Sequence, residues 1–156
     1  MKWMRFRHAD RSGFGRLDGD AVLVHDGDLF DAPRATGERL ALADLRWLAP
    51  CRPGKIIGLW NNFAALAEKN GWARPAEPLY FLKAPSSLAG HGETIPAPPA
   101  EVGRVGYEGE LAVVIGRTAR AVPVAEAAAH IFGYSCANDV TAMELLGRDP
   151  SFPQWT

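Results

Sequence analysis

The sequence predicts an α+β protein, mainly β, with a small N-terminal β-meander domain and a larger domain of mixed strands and helices. Two observations lead to this class. Short apolar segments alternate with polar residues up to Ala49, and longer apolar segments alternate with helix-forming and loop segments after that point. A Pro- and Gly-containing stretch, Pro50–Gly54, separates the two patterns. We therefore expect domains at 1–50 and 51–156.

Turn signals organise the N-terminal domain. The Asp-Gly pairs at Asp18–Gly19 and Asp26–Gly27 favour tight reversals between strands. The stretch Ala41–Pro50 is compatible with a single helical turn or with a strand that leads to the boundary. These features together predict a meander of short antiparallel strands.

Four strands are predicted in the larger domain. Helix-forming composition predicts helices at 63–70, with Gly71 as C-cap, and at 124–130, and the beginning of a third at 142–147 before a Pro-interrupted tail. A Gly-, Pro- and Ser-rich stretch at 84–99 predicts an ordered surface loop of the kind that borders functional sites. The predicted strands lie in the segments KIIGLW, LYFLK, YEGELAVVIG and IFGYSCANDV.

Charge and apolar patterning exclude several classes of protein. The chain has 17 Lys+Arg against 18 Asp+Glu, with no basic block, so we expect neither a nucleic acid nor a membrane surface as partner. No apolar run is long enough to cross a bilayer, and the N-terminus does not resemble a signal peptide. We expect a cytoplasmic protein in which Cys51 and Cys136 are reduced packing residues.

Three acidic residues could form a metal site. Glu108 and Glu110 are two apart on a predicted strand, so their carboxylates share one face, and Asp139 ends the next apolar run. Hard oxygen ligands suit Mg²⁺ or Mn²⁺, and Ca²⁺ is also compatible. The alternative from spacing alone is that the glutamates form the solvated face of an amphipathic strand.

Four segments of the larger domain form a recognisable series: in order, GKIIGLWNNF, EPLYFLKAPSSLAGHGETIPAP, YEGELAVVIGRTAR and FGYSCANDVTAMEL. With these segments the larger domain resembles the fumarylacetoacetate hydrolase family. The resemblance covers Pro53–Thr156, and residues 1–49 resemble the small domain that precedes the catalytic domain in many bacterial members. It implies a mixed β-roll catalytic core, and Glu108, Glu110 and Asp139 as the ligands of a divalent cation.

The resemblance implies a small 2-oxo or 1,3-diketo acid as substrate and a homodimer as the assembly. Our main functional prediction is a metal-dependent hydrolase that cleaves a C–C bond in an acylpyruvate or fumarylpyruvate, as in aromatic catabolism. The first alternative is an isomerase or decarboxylase, of the 2-hydroxyhepta-2,4-diene-1,7-dioate isomerase or oxaloacetate decarboxylase type. The second is a non-catalytic, incomplete chain that needs a partner.

The remaining candidate residues also follow from the resemblance. Family members usually carry a His/Glu pair that activates water, but the matching stretch 61–69 holds no His, which leaves Glu68 as candidate base. Lys83 is a candidate catalytic residue. Candidates for substrate binding are Ser86, Ser87 and His91, with Arg104 and Arg148 as weaker ones. The main candidates also have structural alternatives. In these, Glu68 is an exposed helical residue and Lys83 is a charge at the end of a strand. The serines cap a turn, and His91 is a solvated loop residue.

Family members continue beyond the segment that matches Gln154–Thr156, with an active-site lysine and further strands. The resemblance therefore implies a catalytic core that is incomplete in this chain. An interrupted β core exposes strand edges and apolar surface. We expect such surface on the larger domain, with poor solubility, aggregation or dependence on a partner as its consequence.

Overall fold

Five antiparallel strands at the N-terminus form one sheet in the computed structural model, which describes residues 1–149 and 151. Their order in the sheet is β4-β3-β2-β1-β5, so the predicted meander is confirmed, with β5 added beside β1. The strands are β1 (Trp3–His8), β2 (Arg11–Asp18), β3 (Ala21–Asp28), β4 (Asp31–Ala41) and β5 (Arg46–Leu48).

The two Asp-Gly pairs behave differently. Gly19, with φ of +62°, takes part in the reversal between β2 and β3, as predicted. Gly27, with φ of +86°, lies inside β3 at a shift in the β3–β4 register, and the chain reverses two residues later, at Leu29–Phe30. The prediction of a turn at Asp26–Gly27 was wrong because a left-handed glycine also serves a β-bulge. The stretch after β4 contains both predicted alternatives, a 3₁₀ turn at Leu42–Asp44 and then β5.

A hydrophobic core lies on one face of this sheet. Alternation along β1 buries Met4 and Phe6, and Phe6 is only 1% exposed. Burial of an apolar side chain of this size stabilises the fold by about 1.5–3 kcal/mol. The other members of the core cluster are Val22, Val24 and Leu45, against which Leu17, Leu40, Leu42 and Trp47 pack.

The larger domain contains three separate two-stranded antiparallel ladders within the described residues. The mainly-β α+β class is confirmed, and each strand and helix predicted there is present. The ladders pair β6 (Ile56–Trp60) with β7 (Leu79–Lys83), β8 (Val105–Gly106) with β11 (Thr141–Ala142), and β9 (Gly109–Ile115) with β10 (Ile131–Asn138).

Short helices connect these strands. Helix α1 (Ala64–Lys69) ends before Gly71, whose φ of +66° fits the predicted C-cap. The other helices are α2 (Val124–Ala127), extended by a 3₁₀ turn to His130, and α3 (Met143–Leu146). None of the helices in the described part of the chain is long and apolar enough to span a bilayer. The predicted Pro-interrupted tail lies outside the described residues from Pro150 on, Ser151 excepted.

Two contacts between the N-terminal domain and the larger domain stand out among the described residues. At the first, the rings of Phe30 and Phe132 meet edge to face with centroids 4.9 Å apart. Gly116 lies beneath this pair, where an added Cβ would come within 2.8 Å of the Phe132 Cβ and 3.3 Å of the Phe30 ring. The second contact is made by the loop 84–99, which contains only a 3₁₀ turn at Pro85–Ser87.

Apolar side chains of the larger domain are widely exposed, as the sequence predicted. Many of them lie on the β6–β7 and β9–β10 ladders. In β9 the exposed large side chains are Leu111, Val113 and Ile115, whereas the alternate positions are half-buried. On the other strands the exposed large side chains include Ile57, Leu59, Tyr80, Leu82 and Tyr134.

Candidate functional site

Glu108 and Glu110 lie on the more sheltered face of β9. Glu108 comes directly before the strand and Glu110 is its second residue; both are half-buried, and Gly109 between them is exposed. This alternation confirms that the two glutamates share one face. It argues against the alternative of a solvated polar face, because the glutamates lie on the half-buried face and the exposed face carries Leu111, Val113 and Ile115.

The antiparallel partner strand brings Asp139 to the same end of the ladder. β10 pairs Ala137 with Glu110 and Asn138 with Gly109, so Asp139 follows opposite Glu108. Its backbone N–H donates to the Glu108 carbonyl oxygen at 3.0 Å. The register of a single β ladder thus places all three candidate ligands at the same end of that ladder.

Two polar residues hold Glu108 in place. The Thr141 hydroxyl donates to Glu108 Oε1 at 2.6 Å, and the Glu108 backbone N–H donates to Asn138 Oδ1 at 3.2 Å. Thr141 is only 8% exposed and is the one buried polar side chain among the described residues. Since a buried hydroxyl needs a partner, its bond to Glu108 fixes both groups.

Asn138 and Thr141 both lie in the N-D-V-T-A segment, but the sequence alone assigns no role to either residue. Uncharged side chains such as Asn138 and Thr141 produce no signal in a search for charged or titratable groups. The pattern that could have revealed them is the position of two short polar residues on either side of Asp139, beside a predicted strand end.

The electrostatics of this cluster are dominated by like charge. Partial burial raises the pKa of the Glu110 carboxyl above its usual range, and the Glu108 and Asp139 carboxylates raise it further. A neighbouring cation compensates part of this negative charge: Lys83 Nζ, at the end of β7, lies 2.5 Å from Asp139 Oδ1. The Lys83 and Asp139 side chains are only 27% and 20% exposed.

The donor set fits a hard divalent cation by its chemistry. Three carboxylates offer only oxygen atoms, the ligands that Mg²⁺, Mn²⁺ and Ca²⁺ prefer. Within the described residues, however, no three Asp, Glu, His or Cys side chains converge into a ready-made ligand cluster. Metal ligation by Glu108, Glu110 and Asp139 stays a prediction.

The other predicted residues lie apart from this cluster. Glu68 is exposed on α1, and within the described residues no hydrogen bond or ion pair joins it to the carboxylates. Ser86 is exposed, and the Ser87 hydroxyl donates to the Ala84 carbonyl oxygen at 2.7 Å, so Ser87 caps its own turn. The Arg148 guanidinium donates to the Glu101 carbonyl oxygen, and Arg104 is exposed. Their proposed roles stay predictions.

His91 lies against the N-terminal sheet. Its ring meets Trp47 of β5 edge to face, with centroids 5.6 Å apart. Two residues on, Glu93 pairs with Arg46 at 3.3 Å and accepts the Gly90 backbone N–H at 2.7 Å. The middle of the loop 84–99 thus contacts β5, and the loop begins directly after Lys83. The role of His91 in substrate binding stays a prediction.

A shallow apolar depression of about 550 Å³ adjoins the far end of this loop. It is lined by residues 95–100 of the chain together with Val105, Val140 and Ala142, among others. None of the candidate ligands lines it, although Val140 separates Asp139 from Thr141. The depression is therefore separate from the candidate ligands.

Comparison with known proteins accounts for nearly the whole chain. A family model described as Fumarylacetoacetate (FAA) hydrolase C-terminal matches residues 55–156, and one described as Rv2993c-like, N-terminal matches residues 1–50. Protein Rv2993c of Mycobacterium tuberculosis is 39% identical over 166 residues, which cover 100% of this chain and 60% of the relative. The oxaloacetate tautomerase YisK of Bacillus subtilis is 31% identical over 144 residues, with 86% and 48% covered.

A solved structure agrees with these matches. The 5-carboxymethyl-2-hydroxymuconate delta-isomerase from Mycobacterium smegmatis superimposes with a TM-score of 0.83 at 35% identity, covering 99% of this chain and 60% of that one. The chain thus spans about half to three-fifths of the length of these relatives. On the strength of the family model and the shared fold, the chain belongs to the fumarylacetoacetate hydrolase family.

Proposed function

We propose that the protein containing this chain is a divalent-metal-dependent isomerase or tautomerase of small 2-oxo acids. The observation that carries the proposal is the meeting of Glu108, Glu110 and Asp139 at one end of the β9–β10 ladder, with Lys83 beside them. Two named relatives, a tautomerase and a delta-isomerase, favour isomerisation over the hydrolysis that was our main prediction. A homodimer is the assembly we propose, and the cytoplasm its location.

Isomerisation fits the residues of this chain better than hydrolysis does. Hydrolysis consumes a water molecule that a base must activate, and the 61–69 stretch has no His for that task. Keto–enol isomerisation only moves a proton between carbon and oxygen, so it needs no activated water. The absence of a water-activating His is therefore no obstacle to this chemistry.

Each group of the cluster has a defined task in this proposal. A divalent cation held by the three carboxylates would supply a Lewis acid that stabilises the negative charge of an enolate. Thr141 and Asn138 fix the position of Glu108. Lys83 Nζ is a hydrogen-bond donor that can serve the enolate oxygen or a substrate carboxylate. Mg²⁺ is the cation we propose, with Mn²⁺ as a substitute.

The experiment compares the wild type with Glu110→Gln, and with Glu126→Gln as a matched control on α2, where Glu126 is exposed. We expect Mn²⁺ binding, measured by isothermal titration, to weaken at least about tenfold in Glu110→Gln because one ligand loses its charge. The rate of enol-to-keto conversion of oxaloacetate, followed by ultraviolet absorbance with Mg²⁺, should fall in parallel. Glu126→Gln should match the wild type in both assays.

Two results would contradict the proposal. One is Mn²⁺ binding that is absent in the wild type or unchanged in Glu110→Gln. The other is the release of pyruvate and a carboxylic acid from an acylpyruvate without any tautomerase activity. That result would support hydrolysis as the function.

A further inference from the structure

We propose that Lys83 competes with the divalent cation for Asp139: its ammonium pairs with this carboxylate, and a cation bound there would displace it. This inference rests on the proposed metal site. It assigns to Lys83 a control over metal affinity that is separate from any contact with substrate.

The competition follows from where the two side chains meet. Lys83 ends β7 and Asp139 follows β10, so the ion pair joins two different ladders across 56 residues of sequence. The Nζ–Oδ1 distance is 2.5 Å, and both side chains are largely sheltered. Ion pairs sheltered from water are screened less than exposed ones. The ammonium thus occupies one of the two oxygen atoms that Asp139 could offer to a metal ion.

The lysine is supported on its own strand. Phe81 and Lys83 are two apart on β7 and share one face, and Nζ lies 5.8 Å from the centre of the Phe81 ring. This distance is within the range of a cation–π contact. Lys83 is therefore a positioned side chain whose charge stays near the carboxylates.

Charge explains why the lysine and the cation exclude each other at Asp139. A divalent ion bound to this carboxylate would lie within a few ångströms of the ammonium, and two positive charges at that distance repel. The same ammonium lies beside Asp139 and offsets part of the negative charge of the three carboxylates. Lys83 therefore stabilises the metal-free cluster and lowers its affinity for a cation.

Direct metal titration tests the inference. We expect Lys83→Gln to bind Mn²⁺ about tenfold more tightly than the wild type, because the competing charge is gone. Lys83→Arg keeps the charge and should stay within about twofold of the wild type. Lys69→Gln, at an exposed position on α1, controls for the change in net charge and should also stay within about twofold. A merely structural role predicts the opposite direction, since damage to the site weakens binding.

A second measurement uses the unaltered chain, so it does not depend on the folding of a variant. The ¹⁵N resonance of the Lys83 ammonium should shift when Mg²⁺ is added, because its hydrogen bond to Asp139 breaks.

The outcomes separate the two proposals. If the wild type binds Mn²⁺ through Glu110 and Lys83→Gln binds equally or more weakly, the competition is refuted and the metal site stands. An unmoved Lys83 resonance in Mg²⁺-loaded protein likewise refutes the competition alone. If neither the wild type nor Lys83→Gln binds Mn²⁺, the metal site fails and the inference fails with it.

Discussion

The N-terminal sheet and the larger domain differ in where their apolar side chains lie. Among the described residues, seven of the eight buried apolar side chains precede Pro50, and the exception is Ala67. The ladders of the larger domain leave Tyr80, Leu82 and Leu111 more than 60% exposed. The carboxylate cluster and Lys83 nevertheless lie in the larger domain. The buried apolar core and the candidate site therefore lie in different regions.

The number of strands explains the difference. Five strands side by side form a face wide enough for Met4, Phe6 and Val22 to shelter one another. A single pair of strands cannot do this, and two-stranded units have little stability by themselves. The site residues thus depend on a few polar contacts, such as the bond from Thr141 to Glu108 and the pair of Lys83 with Asp139.

The largest expected effect on stability comes from a comparison of two alanine substitutions, each at one aromatic residue in one of the two regions. We expect Phe6→Ala to lower the free energy of unfolding by about 3–5 kcal/mol, because it empties a fully buried position. Tyr134→Ala, at a position 65% exposed on β10, should cost less than about 1 kcal/mol. Both losses of unfolding free energy are measured by urea unfolding, with hydrogen exchange of backbone amides in the N-terminal sheet as the probe. Equal losses would show that the two regions do not differ as the burial pattern indicates.

A smaller effect tests the link between the two regions. Glu93 accepts one hydrogen bond from Arg46 and one from the Gly90 amide, so Glu93→Ala removes both. We expect a loss of about 1 kcal/mol of local stability, seen as faster exchange of the Gly90 amide. Glu38→Ala is the control, because its partner Arg11 belongs to the same sheet. Unchanged exchange at Gly90 in Glu93→Ala would mean that the loop is held by other contacts.

The smallest effect concerns the carboxylates without metal. Because the folded-state pKa of Glu110 is raised, folding favours its protonated form. This contribution is present below the unfolded-state pKa and is lost as the pH rises through the folded-state pKa. Glu110→Gln should remove this pH dependence and stabilise the metal-free chain at neutral pH by about 0.5 kcal/mol or less, since solvent screens the site.

Urea unfolding at a series of pH values in a chelating buffer provides the measurement for Glu110→Gln. Glu126→Gln, on the exposed surface of α2, should leave the pH profile as it is in the wild type. A Glu110→Gln profile that follows the wild type across the acidic range would exclude Glu110 as the source of this dependence.

Features set by local periodicity could be predicted from the sequence. The shared face of Glu108 and Glu110 follows from the two-residue repeat of a strand, and the turn at Gly19 from local turn chemistry. Features set by distant partners could not. The contact of His91 with Trp47 joins residues 44 positions apart, and the bulge at Gly27 depends on the register of the neighbouring strand.

Thr141 illustrates a second limit. Its importance comes from burial beside Glu108, and a threonine at a strand position gives no sign of burial or of its partner. The family resemblance placed the segment that contains Thr141 near the site. Only the structure gave the residue a hydrogen-bonding role.

The contact of Phe30, Phe132 and Gly116 constrains how this protein can change by mutation. An added Cβ at position 116 would come within 2.8 Å of the Phe132 Cβ, an atom that every residue except glycine carries at position 132. A smaller ring at position 30 or 132 therefore does not make room for a side chain at 116. Glycine at 116 is thus an evolutionary constraint that the contact between the two regions imposes on the chain.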